Sequence, residues 1–365
     1  MSGLDVEAPS RDELELSHLL DGVPLDGAQA VFVSGSVAEG WASQGSNYNV
    51  YVIGDVPAGL QPTGGFAVPP EGQRVPAHHF VVGDNTRVVI RYWHPDDVEW
   101  AASAVRYHEL RPTMEIWPTA IQFLHRLRIG IPLHGQARFE ELRAMIDPGM
   151  LARYLTQHRA MIAESYCTDA VTRRAAGRLF DALLQGRLAF DYSVDAYLAS
   201  LGDTNPQEKW RHKRVLKFAA ESRLPQDYET ALRGPGDGEL DPYIRMLLHR
   251  SETLNCCVQL ACGYNALVPA DRAAEDGSET VERLLGSRLS RRYTGQVVVL
   301  RLDGKSVELS PTAALVYGCA DGRWTADQIA GHTADYLDRP PEEVAAEVRE
   351  VIHELTVRGF FAERR

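Results

Sequence analysis

The sequence predicts an α+β protein: a small mixed sheet, a long helical stretch, then a compact C-terminal domain. Three observations carry that expectation. Residues 30–33 (AVFV), 48–53 (YNVYVI) and 86–93 (TRVVIRYW) are apolar, strand-like runs separated by glycine-rich and small-residue segments. From about residue 98 to 289, apolar residues recur at helical spacing, as in Met150, Leu151, Tyr154 and Leu155, and in Leu179, Phe180, Leu183, Leu184 and Leu188. Beyond 290, two short strands flank an Asp-Gly turn and three helix-start signals follow. The expected segments are 1–97, 98–289 and 290–365.

In the first segment, a small mixed sheet with a helix before it, residues 35–53 read GSVAEGWASQGSNYNVYVI. A strand leads into Gly35-Ser36, a small-residue segment follows, and a second strand begins near Asn47. Residues two apart on a strand point to one face. Asn47 and Asn49 therefore project side by side toward whatever the Gly-Ser turn cradles.

This layout resembles the nucleotidyltransferase superfamily, whose pattern is Gly-Ser, a spacer, a further Gly or Ser, then Asp-x-Asp on a strand. Gly35, Ser36, Gly40, Gly45 and Ser46 match it, and both aspartates are replaced by asparagine. The resemblance implies ATP and magnesium as cofactors of an active site, with Gly35, Ser36 and Ser46 toward the nucleotide and Asn47 and Asn49 at the catalytic positions. Those aspartates would hold metal against the triphosphate, since magnesium prefers charged oxygen ligands. The superfamily also draws a third acid from a later strand. Here the candidate strand carries Arg87, Val89 and Arg91 on one face and Val88, Ile90 and Tyr92 on the other, and none is acidic. Ordinary metal-dependent transfer is not expected. Two other readings stand beside this one: a chance Gly-Ser loop, and an active site made inert by Asp→Asn substitution. The acid-free third strand speaks against the second.

The helical stretch includes residues 123–129 (FLHRLRI), expected to end at Gly130 before Pro132. It resembles the helical partner domain that closes over the nucleotide in the same superfamily. Residues 209–214 (KWRHKR) form a basic cluster in an acidic chain. Lys209, Arg211, Lys213 and Arg214 would suit a triphosphate or an acidic peptide, with Lys209 and Lys213 as the cofactor-binding candidates. A solvated helix face with Trp210 packed beneath explains them equally well. Cys256-Cys257 reads as small apolar packing rather than a metal site. His78, His79 and His94 match no ligand pattern and read as structural. Residues 271–290 are polar and read as a linker.

The last segment is the most strongly patterned. Residues 296–302 and 305–309 form a hairpin around Asp303-Gly304. Ser310-Pro311 supplies an N-cap and a favoured first helical residue. Thr325 with Gln328 makes a capping box for the second helix. Pro340-Pro341 with Glu342 and Glu343 starts the third, and Gly359 stops it. This order resembles the PqqD family, winged-helix domains that recognise leader peptides of ribosomally made natural products. The motifs that carry the resemblance are residues 309–313 (LSPTA), 322–325 (GRWT) and 358–360 (RGF). It implies that a leader peptide adds as a strand to the hairpin edge and packs on the third helix. Val307, Leu309, Val348, Ile352 and Leu355 are the implied peptide-binding residues. A DNA-binding winged helix is weaker, because that helix offers Glu342, Glu343, Glu347, Glu350 and Glu354 against only Arg349 and Arg358.

Composition narrows the partners. The formal net charge of −12 over 365 residues argues against nonspecific nucleic-acid binding. No apolar run is long enough to span a membrane, and the acidic N-terminus lacks signal-peptide features. Five cysteines without a Cys-x-x-Cys pair fit a reduced, cytoplasmic protein. The expected function is peptide natural-product maturation. A precursor leader is captured and presented to a degenerate nucleotidyltransferase-like cleft, with another maturation enzyme as a further partner. The alternatives are an active nucleotidyltransferase that adenylylates the peptide, carried here as an inert Asp→Asn form, and a peptide-responsive DNA-binding regulator.

Overall fold

The computed structural model describes residues 19–20, 25–43, 45–55, 64–65, 76–82, 86–107, 116–236, 238–268, 279–292 and 294–362. The helix expected before the sheet falls outside them, as do residues 271–278 of the expected linker and the side chains of His78 and His79. The chain divides into two compact units. Met1–Tyr154 with Thr204–Pro206 form the first, and Leu155–Asp203 with Gln207–Arg365 the second.

The first unit is organised on a mixed sheet of β1 (Ala28–Ser34), β2 (Tyr48–Gly54), β3 (Gly64–Gly65), β4 (Pro76–Val82), β5 (Thr86–Trp93) and β6 (Ile131–His134). Its order is β3-β4-β5-β2-β1-β6. β1 and β2 run antiparallel, β2 and β5 parallel, with Asn49 opposite Val89 and Tyr51 opposite Arg91. β1, β2 and β5 are near-continuous apolar runs because both faces of the sheet are covered. One face carries Val31, Val33, Val50, Val52, Val88 and Ile90 in a cluster with Leu19. The other carries Phe32, stacked on Tyr51 at 5.0 Å, and Trp93, stacked on Phe123 at 3.9 Å. Phe123 lies on α2 (Pro118–Ile129), which ends at Gly130 as its sequence predicts. A β-carbon at Gly130 would stand 2.5 Å from the Phe32 ring, so only glycine fits this crossing. Residues 131–134 lie inside the stretch read as helical, yet they form the edge strand β6. Four residues are too few to show a period, and Pro132 is tolerated because it sits on a sheet edge.

After β6 come α3 (Gln136–Ala144) and α4 (Pro148–Ala175). The second unit contains α5 (Leu179–Ser200), α6 (Arg211–Phe218), α7 (Leu224–Arg233) and α8 (Leu240–Leu260), followed by a sheet of β7 (Ser287–Arg291), β8 (Val297–Arg301) and β9 (Ser306–Leu309) in that order. α9 (Pro311–Cys319), α10 (Ala326–Leu337) and α11 (Pro341–Val357) complete it. The caps read from sequence are made. Ser310 Oγ accepts from the Ala313 N–H, and Thr325 and Gln328 bond reciprocally.

The linker reading needs correction at its C-terminal end. Ser287–Arg291 form a third strand, and the preceding residues are stitched into the domain. The Val281 N–H donates to Trp324 O (2.7 Å), Arg283 N–H to Ala320 O (2.8 Å) and Leu284 N–H to Phe360 O (2.8 Å). Serines and arginines hide β7 from a hydrophobicity reading, since Leu289 is its only apolar residue. Among the described residues no helix is long and apolar enough to cross a membrane.

Candidate functional site

In the first unit, the sheet geometry brings Gly35, Asn49, Arg91 and Arg126 together. β1 ends at Ser34, and the chain turns through Gly35 at φ +93°, a left-handed conformation that favours glycine. The turn is closed by the Glu39 N–H donating to Gly35 O (3.0 Å) and the Trp41 N–H to Ser36 O (2.7 Å). Ser34 lies two residues beyond Phe32 on the face that α2 covers, and its hydroxyl donates to Arg126 O (2.8 Å). Asn49 shares that face with Tyr51, and Arg91 shares it with Trp93. A β-carbon at Gly35 would lie 3.0 Å from both Arg126 Nη1 and Asn49 Nδ2.

The Asn49 side chain is half-buried, and its Oδ1 accepts from Arg91 Nη1 (2.8 Å). Asn47 is exposed and lies just before β2, where the sequence placed it on the strand, and Asn49 Nδ2 reaches its main-chain oxygen at 3.4 Å. Ser36 is buried beside Gly35, whereas Ser46 is held in a local turn, its Oγ accepting from the Ser43 N–H (2.9 Å).

Magnesium does not fit this donor set. The one oxygen that Asn49 offers is engaged by the Arg91 guanidinium, and a second guanidinium, that of Arg126, borders the same side of Gly35 as the Asn49 amide. Repulsion between unit charges about 4 Å apart is roughly 4 kcal/mol at an effective dielectric of 20, and a divalent ion doubles it. The nearest acid in sequence is also committed. Glu39 Oε1 accepts from Asn205 Nδ2 (3.1 Å) and pairs with His125 Nε2 (3.0 Å), both side chains being nearly fully buried. Thr204 Oγ1 closes the group, 3.0 Å from His125 Nδ1 and accepting from Arg128 Nε (3.0 Å). Among the described residues, no group of three or more His, Cys, Asp or Glu could hold a metal ion.

The basic cluster proves to be half structural. Arg211 Nε and Nη2 grip the Asp195 carboxylate at 3.0 and 2.8 Å, and Arg214 bonds Asp195 (2.8 Å) and Asp203 (2.5 Å). Burial raises the Asp195 pKa, but Arg214 and Arg211 outweigh it and hold the carboxyl below its usual range. Lys209 and Lys213 are exposed and flank the Trp210 ring at 5.2 and 5.1 Å. These residues belong to the second unit, as Gly35, Ser36 and Ser46 belong to the first. His94 takes a structural place, accepting the Asp96 N–H at the start of α1 (Pro95–Tyr107). Cys256, Cys257 and Cys319 are buried, and burial pushes their thiols up.

Among the described residues the C-terminal sheet ends at β9, which β8 pairs on one side only. Arg301 N–H donates to Lys305 O (2.9 Å) at the hairpin end. Antiparallel alternation then turns the main-chain groups of Val307 and Leu309 toward β8 and those of Ser306 and Glu308 away from it. The side chains named from sequence sit elsewhere. Leu309, Val348, Ile352 and Leu355 are buried in the domain core, and Val307 is packed against it. Their helical and strand periodicity marks a core face, which Leu309, Val348, Ile352 and Leu355 use to build the domain interior. Main-chain groups on β9, the hairpin edge that the family resemblance implied, are what the fold leaves unpaired among the described residues. Arg126 carries no signal in the sequence that marks it as facing this turn, and Arg91 stands out there only as a residue that is not acidic.

Comparison with known proteins agrees with the C-terminal reading. The family described as Coenzyme PQQ synthesis protein D (PqqD) matches residues 296–360. A protein of Rhizobium meliloti (strain 1021) named PqqA binding protein is 32% identical over 89 residues, which cover 24% of this chain and 91% of that one. Among solved structures, a nucleotidyltransferase-like protein from Exiguobacterium sibiricum 255-15 aligns over 71% of this chain and 81% of its own, at 11% identity and a TM-score of 0.40.

Proposed function

The chain belongs to the PqqD family through its C-terminal domain, and from that membership we propose that this domain captures the leader of a ribosomally made precursor peptide. The captured peptide is then presented to the cleft at Gly35 and Ser36, within a chain organised as a nucleotidyltransferase-like segment, a helical segment and a peptide-recognition segment. The observation that carries the reading is the family match over residues 296–360. It is supported by the relative whose name describes it as binding PqqA, matched over nearly its whole length. The open β9 edge supplies the physical means. An extended peptide adding to it gains main-chain hydrogen bonds at Ser306 and Glu308, each contributing about 0.5–1.5 kcal/mol net. The free cysteines suit a reducing compartment, and we assign the work to the cytoplasm. An active, magnesium-dependent adenylylating enzyme is disfavoured by the donor set around Asn49.

The test is fluorescence anisotropy with a labelled leader peptide of a precursor encoded beside this chain. The full chain is expected to bind it saturably. Glu308→Pro removes an outward N–H and blocks the edge without breaking a bond to β8, and is expected to weaken binding about tenfold or more. Undiminished binding by the Glu308→Pro chain would refute the edge as the site, and absence of binding by the unmodified chain would refute the function.

A further inference from the structure

The residues around Gly35 reject a divalent cation and are suited to the opposite charge. We propose that this turn is a metal-independent oxyanion site, in which Arg126 and Asn49 take up a phosphoryl or carboxylate group and Arg91 positions Asn49. The inference rests on the reading of this domain as a ligand-binding cleft and names the chemistry that the cleft selects.

Arg126 carries the argument. It is 4% exposed, yet its Nε and Nη1 have no hydrogen-bond partner among the described residues. A guanidinium removed from water is costly unless acceptors replace the solvent. The other buried arginines obey that rule. Arg211 and Arg214 hold Asp195 and Asp203, Arg250 holds Asp227, and Arg283 holds main-chain carbonyls. Among the described residues, Arg126 is the one of these buried arginines with two orphaned guanidinium nitrogens, and its Nη1 stands 3.0 Å from where a β-carbon at Gly35 would lie.

A second donor faces the same space. Because Arg91 occupies Asn49 Oδ1, the amide is fixed with Nδ2 turned toward Gly35. An aspartate here would present an oxygen; the asparagine, so held, presents an N–H. Together with the planar guanidinium of Arg126, the site offers convergent donors, with no carboxylate taking part in their hydrogen bonds. Phosphoryl and carboxylate oxygens share the acceptor geometry that such donors match.

Titration calorimetry on the full chain tests this with inorganic pyrophosphate and with succinate, each in EDTA and then with magnesium. One of the two is expected to bind in EDTA, and magnesium is expected not to tighten it. Binding of pyrophosphate alone points to a phosphoryl ligand, and of succinate alone to a carboxylate; either result supports the site. Asn49→Asp puts a negative charge where an amide donated and is expected to weaken binding about tenfold or more. A restored metal site would respond in the opposite direction. Arg126→Met should abolish binding, and Asn49→Asp keeps the test open if burial of Arg126 makes that variant fail to fold. Failure of both ligands in EDTA, binding that needs magnesium, or affinity unchanged or raised in Asn49→Asp would each overturn the proposal. Leader binding is read separately by anisotropy, so loss of one result leaves the other standing.

Discussion

Arg283→Met is expected to lower the unfolding free energy of the second unit by about 3–5 kcal/mol. Arg283 is 2% exposed, and its side chain ties together segments distant in sequence. Nη1 donates to Tyr317 O (3.0 Å) and Gly318 O (2.9 Å) at the end of α9, while Nη2 donates to His249 O and Thr253 Oγ1 on α8. Methionine fills much of the volume but leaves carbonyls without donors in a place water does not reach, and each such orphan costs about 1–3 kcal/mol. Urea unfolding followed by circular dichroism checks this. A midpoint drop of roughly 1 M or more is expected, given slopes of about 1–3 kcal/mol per molar urea. A midpoint unchanged from the parent chain would show that the α8–α9 junction does not depend on this side chain.

The second large effect depends on pH. Glu252, on α8, is buried, accepts the Leu289 N–H of β7 (2.7 Å) and accepts from Asn255 Nδ2 (3.2 Å). It lies on the wall of a cavity of about 280 Å³ that also borders Ser193, Ser251 and Leu289. Burial pushes its carboxyl up to about 7, against the opposing pull of Arg283 and the Leu289 N–H. An acid whose pKa is raised on folding binds more protons folded than unfolded between roughly pH 4.5 and 7. Its contribution is therefore most favourable below that window and is lost as pH rises through it, by on the order of 3 kcal/mol. His249 acts in the reverse sense, because burial depresses its pKa. Glu282, lowered to about 2 by His249 and Arg245, changes protonation only at more acidic pH. Comparing the parent chain with Glu252→Gln cancels the shared contributions. The Gln variant is expected to gain stability relative to the parent as pH rises from 5 to 8. Parallel curves for the two chains would contradict a titrating Glu252.

What was legible in the sequence was local. The Ser310 cap, the Thr325–Gln328 box, the hairpin turn at Gly304 and the stop at Gly359 are decided within a few residues, so spacing alone reveals them. The Gly-Ser turn and the strand after it were legible for the same reason. What failed was non-local. Residues 281–291 look like a linker because the groups that order them, Trp324, Ala320 and Phe360, lie about 35–75 residues away along the chain. Arg126 is 91 residues from Gly35, and nothing in FLHRLRI distinguishes a guanidinium facing a turn from one facing solvent. The apolar stripe of α11 is plain in the sequence, but periodicity cannot tell a core face from a binding face. Lys209 to Arg214 show the same limit, since two of the four cations are matched by Asp195 and Asp203 inside the fold.

Amide hydrogen exchange on the full chain, with and without a saturating leader peptide, tests the central claim most directly. Leader capture at the β9 edge predicts slower exchange at Ser306 and Glu308, by about tenfold or more, while Val307 and Leu309, already bonded to β8, change little. Saturating binding with no added protection at residues 306–309 would contradict it.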